Sequence, residues 1–315
     1  MMFPPSSRTA WQLASVQTIE LHADFYGDRL CYRLEVEHHK RQNLVRISNE
    51  SLTDSRGNPL FEFQMGNVKL FRDDHSEGPV YAADWLDSAM ARVPERDDNQ
   101  RLSKFLDVVR KILVCGLYPA SFEQETTRPE LLLDRNASNF SSWYQHVQLD
   151  DPGRVEAFRK SIVEVIDGLD QIRLQQSGLN RRTLMVSFAG SGHRYELPLN
   201  EISDGQRALM ALYALIHLSA GLGYTLLLDE PENHIALAEI QPWLMELEDR
   251  CGDSIPQTVI CAHHPEVIDF LGAEHGVHLL RERSGATQLK KLSEISHVSA
   301  NSLKLSELLA RGWEA

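Results

Sequence analysis

The run Tyr224-Thr225-Leu226-Leu227-Leu228-Asp229-Glu230-Pro231-Glu232 ends a short apolar segment in two adjacent carboxylates. This is the pattern of a buried central strand, and such a strand delivers its last side chains to the C-terminal edge of its sheet, where open α/β folds bind ligands. One carboxylate can then hold Mg²⁺, directly or through water, while the next polarises an attacking water. That division of labour suits phosphoryl transfer, in which positioning and charge neutralisation carry most of the catalysis. Without chemistry, the same residues read as a buried strand running into an acidic turn.

Two other segments fall on either side of it. Ile202-Ser203-Asp204-Gly205-Gln206 precedes a helix-periodic stretch in which Leu209, Leu212, Tyr213 and Ile216 share a face, with Ser203 as its N-cap. A helix start opened by Ser and Gly presents backbone N–H groups and the positive end of the dipole, which suits a phosphate. It also reads as an ordinary capped helix. Thr258-Val259-Ile260-Cys261-Ala262-His263-His264-Pro265 is a β-branched run ending in histidine, with Pro265 stopping the strand. An imidazole on that sheet edge can donate to a phosphate oxygen or to water, although histidines after strands are often structural.

The ordered set Ser203-Asp204-Gly205-Gln206, then Leu226 to Asn233, then Ala262 to Asp269 resembles the ATP-binding-cassette (ABC) ATPases. More narrowly, it is similar to bacterial AAA-type ATPases whose C-terminal half is ABC-like, relatives of the SMC, RecF and overcoming-lysogenization nuclease heads. The likeness is specific from about Leu199 to Leu271 and softer upstream, where Leu133-Asp134-Arg135-Asn136-Ala137-Ser138-Asn139 and Trp143 look like a segment of that group. The resemblance implies ATP and Mg²⁺ as cofactors. Ser203, Asp204, Gly205 and Gln206 would form the signature that meets nucleotide held by a partner subunit. Asp229 would support Mg²⁺, Glu230 would be the general base, and His263 the switch histidine. Glu232 and Asn233 would lie on a loop crossing to the opposite subunit. His264 receives no role.

A phosphate-binding loop requires Gly-x-x-x-x-Gly-Lys-Ser/Thr, whose N–H groups and lysine cradle phosphates, and the sequence has none. Gly190-Ser191-Gly192-His193-Arg194 lacks the lysine and lies between two strand patterns, so it reads as a hairpin turn. In the resembled family this loop and its strand come early, followed by a loop containing glutamine, for which Gln17 is a candidate. By that resemblance the absent strand would pair beside Leu226–Leu228 and leave it with an open edge, and the 315 residues would not be the complete functional unit.

The elements positioning these residues follow from patterning. From Thr18 to Phe71 short alternating runs (Ile19–Ala23, Leu30–Val36, Leu44–Ile47, Leu60–Phe63) separated by turns at Tyr26-Gly27-Asp28 and Asp54–Pro59 predict an antiparallel meander. Arg72 to Gln100 is rich in Asp, Glu, Pro and Gly, an acidic loop with an embedded helix near Ala82–Ala91. Helical spacing is expected over Leu102–Leu113 and Pro152–Leu169. Leu184–Phe188 and Tyr195–Leu197 predict a strand pair, and beyond Glu201 helix and buried strand alternate as in a parallel α/β unit. The expected fold is therefore α/β. By resemblance it is the C-terminal part of a P-loop NTPase, ABC-head-like, with a β meander (1–71), a loop and helical insertion (72–183) and an α/β part (184–315).

Composition agrees with a globular chain: 42% hydrophobic, 24% charged, with no apolar run approaching a membrane span and no signal-peptide core after Met1. A cytoplasmic protein without a membrane partner is expected. Cys31, Cys115, Cys251 and Cys261 form no C-x-x-C pair, no H-E-x-x-H occurs, and His38-His39 reads as a solvated strand end. The net charge of −13 opposes non-specific nucleic-acid binding but leaves room for a small basic groove.

The resemblance implies an ATP-hydrolysing switch, active as a homodimer or with an ATPase partner, tied to nucleic-acid maintenance or antiphage defence. A second reading is a non-enzymatic subunit that supplies Ser203 and Gly205 in trans. A transporter's nucleotide-binding subunit fits less well, because the region before the signature is far longer.

Overall fold

The computed structural model describes residues 14–25, 27–39, 44–190, 192–281, 286–296 and 304–311. Tyr26, Ser191 and the N-terminal segment around Met1, named in the expectations above, lie outside these residues. The chain divides into two compact units, Met1–Arg110 and Lys111–Ala315. Among the described residues no helix is long and apolar enough to cross a membrane.

The first unit is an antiparallel meander of six strands in sequence order: β1 (Val16–Phe25), β2 (Asp28–His39), β3 (Leu44–Asp54), β4 (Pro59–Gln64), β5 (Asn67–Phe71) and β6 (Glu77–Ala82). Alternation sends Leu34, Val36, Phe61, Phe63, Val68 and Leu70 inward. The turn between β3 and β4 forms because Asp54 Oδ1 accepts from the N–H groups of Arg56 (2.9 Å) and Asn58 (2.8 Å), with Gly57 at φ +82°. Helix α1 (Gln100–Arg110) starts where Asp73 accepts from the N–H groups of Gln100 and Arg101, and it buries Leu102, Phe105 and Leu106 in the same core.

Two expectations for this unit are corrected. Ala82–Ala91 is not a helix: β6 ends at Ala82, and a single 3₁₀ turn covers Met90–Arg92. Side chains capture the backbone instead. Asp84 accepts from Leu86 N–H, and the buried Glu50 carboxylate accepts from the N–H groups of Ala89 (2.9 Å) and Met90 (3.2 Å), as well as from the hydroxyls of Tyr32 and Ser88. His38 is buried in β2, not solvated, and its Nε2 lies 2.6 Å from Gln17 Oε1 of β1.

The second unit holds two sheets that matter here. A parallel sheet, in order β13-β12-β7, comprises β7 (Ile112–Cys115), β12 (Thr225–Asp229) and β13 (Gln257–Cys261). An antiparallel sheet joins β8 (Glu125–Thr126), β9 (Leu169–Gln176), β10 (Arg182–Gly190) and β11 (His193–Pro198), with Gly190 opposite His193 at the hairpin. Helices α2 (Phe140–Asp150) and α3 (Pro152–Val165) share a core with α4 (Asp204–Ser219), α5 (Leu237–Arg250) and α6 (Pro265–His275). The expected face on α4 understates its burial, since every residue from Arg207 to Ser219 is buried. A helix apolar on most sides is a central one.

Strand β7 corrects the largest expectation. The apolar Ile112–Cys115 does not extend α1 but forms a strand beside β12, pairing Leu226 with Leu113 and Leu228 with Cys115. β12 is therefore paired on both sides, and the open edge expected for it is absent. Similarly, α3 stops at Val165, and Gly168, at φ +73°, turns the chain so that Leu169 begins β9. Composition suggested breaks at 71/72 and 183/184. Burial groups the residues otherwise, because α1 fills the meander's core and α3 packs with α4.

Candidate functional site

The C-terminal ends of β12 and β13 meet in register, Asp229 opposite Cys261, and Glu230 N–H donates to Cys261 O at 2.7 Å. That bond closes the ladder between the two strands, and Glu230 itself stands at φ +46°, a left-handed conformation uncommon for a residue with a side chain. The turn aims the Glu230 carboxylate at two neighbours. Oε1 lies 3.3 Å from His263 Nδ1, and Oε2 accepts from Asn233 Nδ2 at 2.9 Å. All three side chains reach solvent, so a carboxylate is held between an imidazole and an amide at an open sheet edge.

Glu232 has a different place. It is 5% exposed, and its Oε1 accepts from the backbone N–H groups of His263 (3.2 Å) and His264 (3.3 Å). Its other oxygen, Oε2, is buried with no hydrogen-bond partner among the described residues. A buried polar oxygen without a partner is uncommon in a native fold. Glu232 thus ties the turn after β12 to the turn after β13, facing inward, whereas the neighbouring Asn233 is exposed.

Asp229 is turned to the other side of the edge. Its Oδ2 lies 3.6 Å from Arg135 Nη2, with both side chains largely exposed. Gly116, the residue after β7, lies beneath it: a Cβ there would stand 3.8 Å from Asp229 Oδ2. Among the described residues no cluster of three or more His, Cys, Asp or Glu is arranged to hold a metal. Asp229 offers one accessible carboxylate, which suits Mg²⁺ only together with waters and substrate phosphates, since Mg²⁺ keeps several waters and is commonly held by one or two carboxylates plus phosphate oxygens.

At the start of α4, Ser203 and Gln206 form a reciprocal capping box: Ser203 Oγ accepts from Gln206 N–H, and Gln206 Oε1 accepts from Ser203 N–H, each at 3.2 Å. Asp204 pairs with Arg207. Gly205 has its own structural reason, since a Cβ would stand 2.8 Å from the His234 carbonyl oxygen. The start of α4 therefore meets the loop after β12 through the His234 backbone, while Ser203 and Gln206 bond each other.

The structure brings Glu230, Asn233, Glu232 and His263 into one network and sets Asp229 beside Arg135. Sequence reasoning missed three participants. Arg135 stands within Leu133–Asn139, where its residue type and spacing alone point to no role. His264 is the N-cap of α6, its Nδ1 accepting from Glu266 N–H, with Pro265 at the first helical position. The His-Pro-Glu order carried that signal, because proline is favoured at a helix start. Gly116 lies in a stretch read as following a helix, and no local pattern marked it. Gln17, the candidate for the family's glutamine loop, belongs to β1 of the first unit.

A parallel sheet whose central strand delivers carboxylates to its C-terminal edge is an α/β arrangement, and that edge is where open α/β folds bind ligands. The family model described as "AAA domain, putative AbiEii toxin, Type IV TA system" matches residues 68–269, more than half of the chain, and the protein belongs to that family of AAA-type ATPases. No curated protein matches the chain.

Proposed function

We propose that the protein is an ABC-type ATPase element that works as a homodimer or with an ATPase partner subunit and serves nucleic-acid maintenance or antiphage defence. The observation that carries the reading is Glu230, held between His263 Nδ1 and Asn233 Nδ2 at the edge that also presents Asp229. In this reading Glu230 takes the proton of the attacking water, and Asn233 fixes the carboxylate's orientation. His263 is within reach of the same water or of a phosphate oxygen. Asp229 would hold the divalent cation, which would supply neutralisation of charge on phosphate oxygens. Ser203, Asp204, Gly205 and Gln206 present the start of α4 to nucleotide on the partner. The toxin named in the family description is compatible with a defence role.

The sequence contains no Gly-x-x-x-x-Gly-Lys-Ser/Thr segment, and this favours a second reading, in which the chain supplies its signature in trans to a subunit that carries the loop. One experiment addresses both. ATP binding and phosphate release are measured for the chain alone and with a loop-bearing ABC-type subunit, in wild-type and Glu230→Gln forms. The first reading expects Glu230→Gln to lower turnover by about 10²-fold or more, the usual contribution of a general base, and to trap an ATP-bound dimer. An unchanged rate would overturn it. The second expects no ATP binding by the chain alone and turnover only in the mixture, equal for both forms. Failure of every mixture to hydrolyse ATP would count against it.

A further inference from the structure

We propose that Arg135 is a further residue of this site: an internal cation that neutralises Asp229 where a divalent metal would bind, and that the metal must displace. The inference rests on the reading of Asp229 as the metal-supporting carboxylate.

The arginine is presented by a loop that is tied down along its length. Its own carbonyl accepts from Gly116 N–H at 2.8 Å, and the next carbonyl, of Asn136, accepts from Tyr118 N–H at 3.2 Å, so the loop is fastened to the segment leaving β7. Asn139, buried, accepts from Asp134 N–H at 2.8 Å and donates from Nδ2 to Glu130 Oε2 (2.6 Å) and Leu132 O (3.0 Å). Ser138 Oγ donates to Asp134, and Ala137 is fully buried at φ +59°, a left-handed conformation held by what surrounds it. The backbone at 135 is therefore fixed, whereas the side chain is 72% exposed and can move.

The guanidinium faces Asp229 Oδ2, an accessible oxygen, in a stretch where Asp229, Glu230 and Glu232 place three carboxylates within four residues. A single positive group there offsets their mutual repulsion. An exposed arginine–carboxylate pair changes an equilibrium by no more than about fivefold, so a doubly charged ion of high field can displace it. Arginine also keeps its charge at any working pH, which makes it a constant competitor.

Mn²⁺ alone serves as the probe. Its binding to the whole chain, without nucleotide, is followed by electron paramagnetic resonance of the free ion. Arg135→Ala and Arg135→Gln are expected to bind Mn²⁺ about two- to fivefold more tightly than wild type, and Arg135→Lys to stay close to wild type. The difference should shrink between about 0.02 M and about 0.5 M salt, because exposed charges are screened. Asp229→Asn should weaken binding and abolish the effect of Arg135→Ala. Equal or weaker binding by Arg135→Ala and Arg135→Gln, with Asp229→Asn still weakening it, would overturn this inference alone. If Mn²⁺ binds no variant, this inference falls; if Mn²⁺ binds but Asp229→Asn leaves binding unchanged, the assignment of Asp229 falls and takes this inference with it.

Discussion

Glu232 lies within four residues of Asp229, yet it faces the interior and accepts from two backbone N–H groups of the turn that carries His263. Removing its carboxylate leaves both donors without their acceptor, and a buried unsatisfied group costs about 1–3 kcal/mol. Glu232→Ala is thus expected to lower unfolding stability in denaturant by that order. Glu232→Gln, which keeps one accepting oxygen, should lose less. Equal stability of the alanine variant would remove the tie. At this scale Asp229, Glu230 and His263 were legible because a strand ending in polar groups announces its own edge. The inward turn of Glu232 and the approach of Arg135 were not, since both depend on a partner distant in sequence. Gly205 shows the same limit: its spacing suggested phosphate contact, whereas the His234 carbonyl supplies a steric reason that no local pattern contains.

Three helices of the second unit are joined at Glu246, on α5. Its carboxylate lies 2.9 Å from Nε2 of the buried His217 on α4, accepts from Ser161 Oγ on α3 at 3.1 Å and accepts from Arg250 at 3.0 Å. His217, ahead of the opposing cost of burial, holds the Glu246 carboxyl below its ordinary value of 4.5, with Ser161 and Arg250 adding to the effect. Because the native pKa is the lower one, the stabilisation is present above about pH 4.5 and is lost as pH falls through the native value. Thermal unfolding of wild type and Glu246→Gln should accordingly differ most near neutrality and converge as pH falls below about 4.5. A constant difference would show that ionisation contributes nothing. Element existence was largely readable here, since α3, α4, β12 and β13 have clear periods. The failure at Ile112–Cys115 is instructive: four apolar residues directly after a helix suit either continuation or a buried strand, and only pairing with β12 decides.

Across the molecule, the alternating runs of the first unit and the helix–strand alternation of the second made the fold class legible. The division at Arg110–Lys111 was not, because composition shifts at the acidic loop while core membership shifts after α1. The chain carries a net charge of −13, which repels phosphate backbones beyond any local basic groove. Fluorescence anisotropy with a random-sequence duplex at about 0.15 M salt is therefore expected to show no binding by the chain alone at micromolar concentration. Salt-sensitive binding there would reveal a basic surface that the overall charge conceals.

The left-handed backbone at Glu230 has a consequence for how this protein would respond to selection. Holding a side chain at φ +46° costs about 1–2 kcal/mol, and asparagine or glycine adopts that conformation more readily. A search for heat-tolerant variants judged by folding alone would favour those residues at 230, and each replacement would discard the carboxylate that His263 and Asn233 flank. Retention of glutamate under a screen for function, and its loss under a screen for robustness, would mark the position as one where durability and chemistry pull in opposite directions.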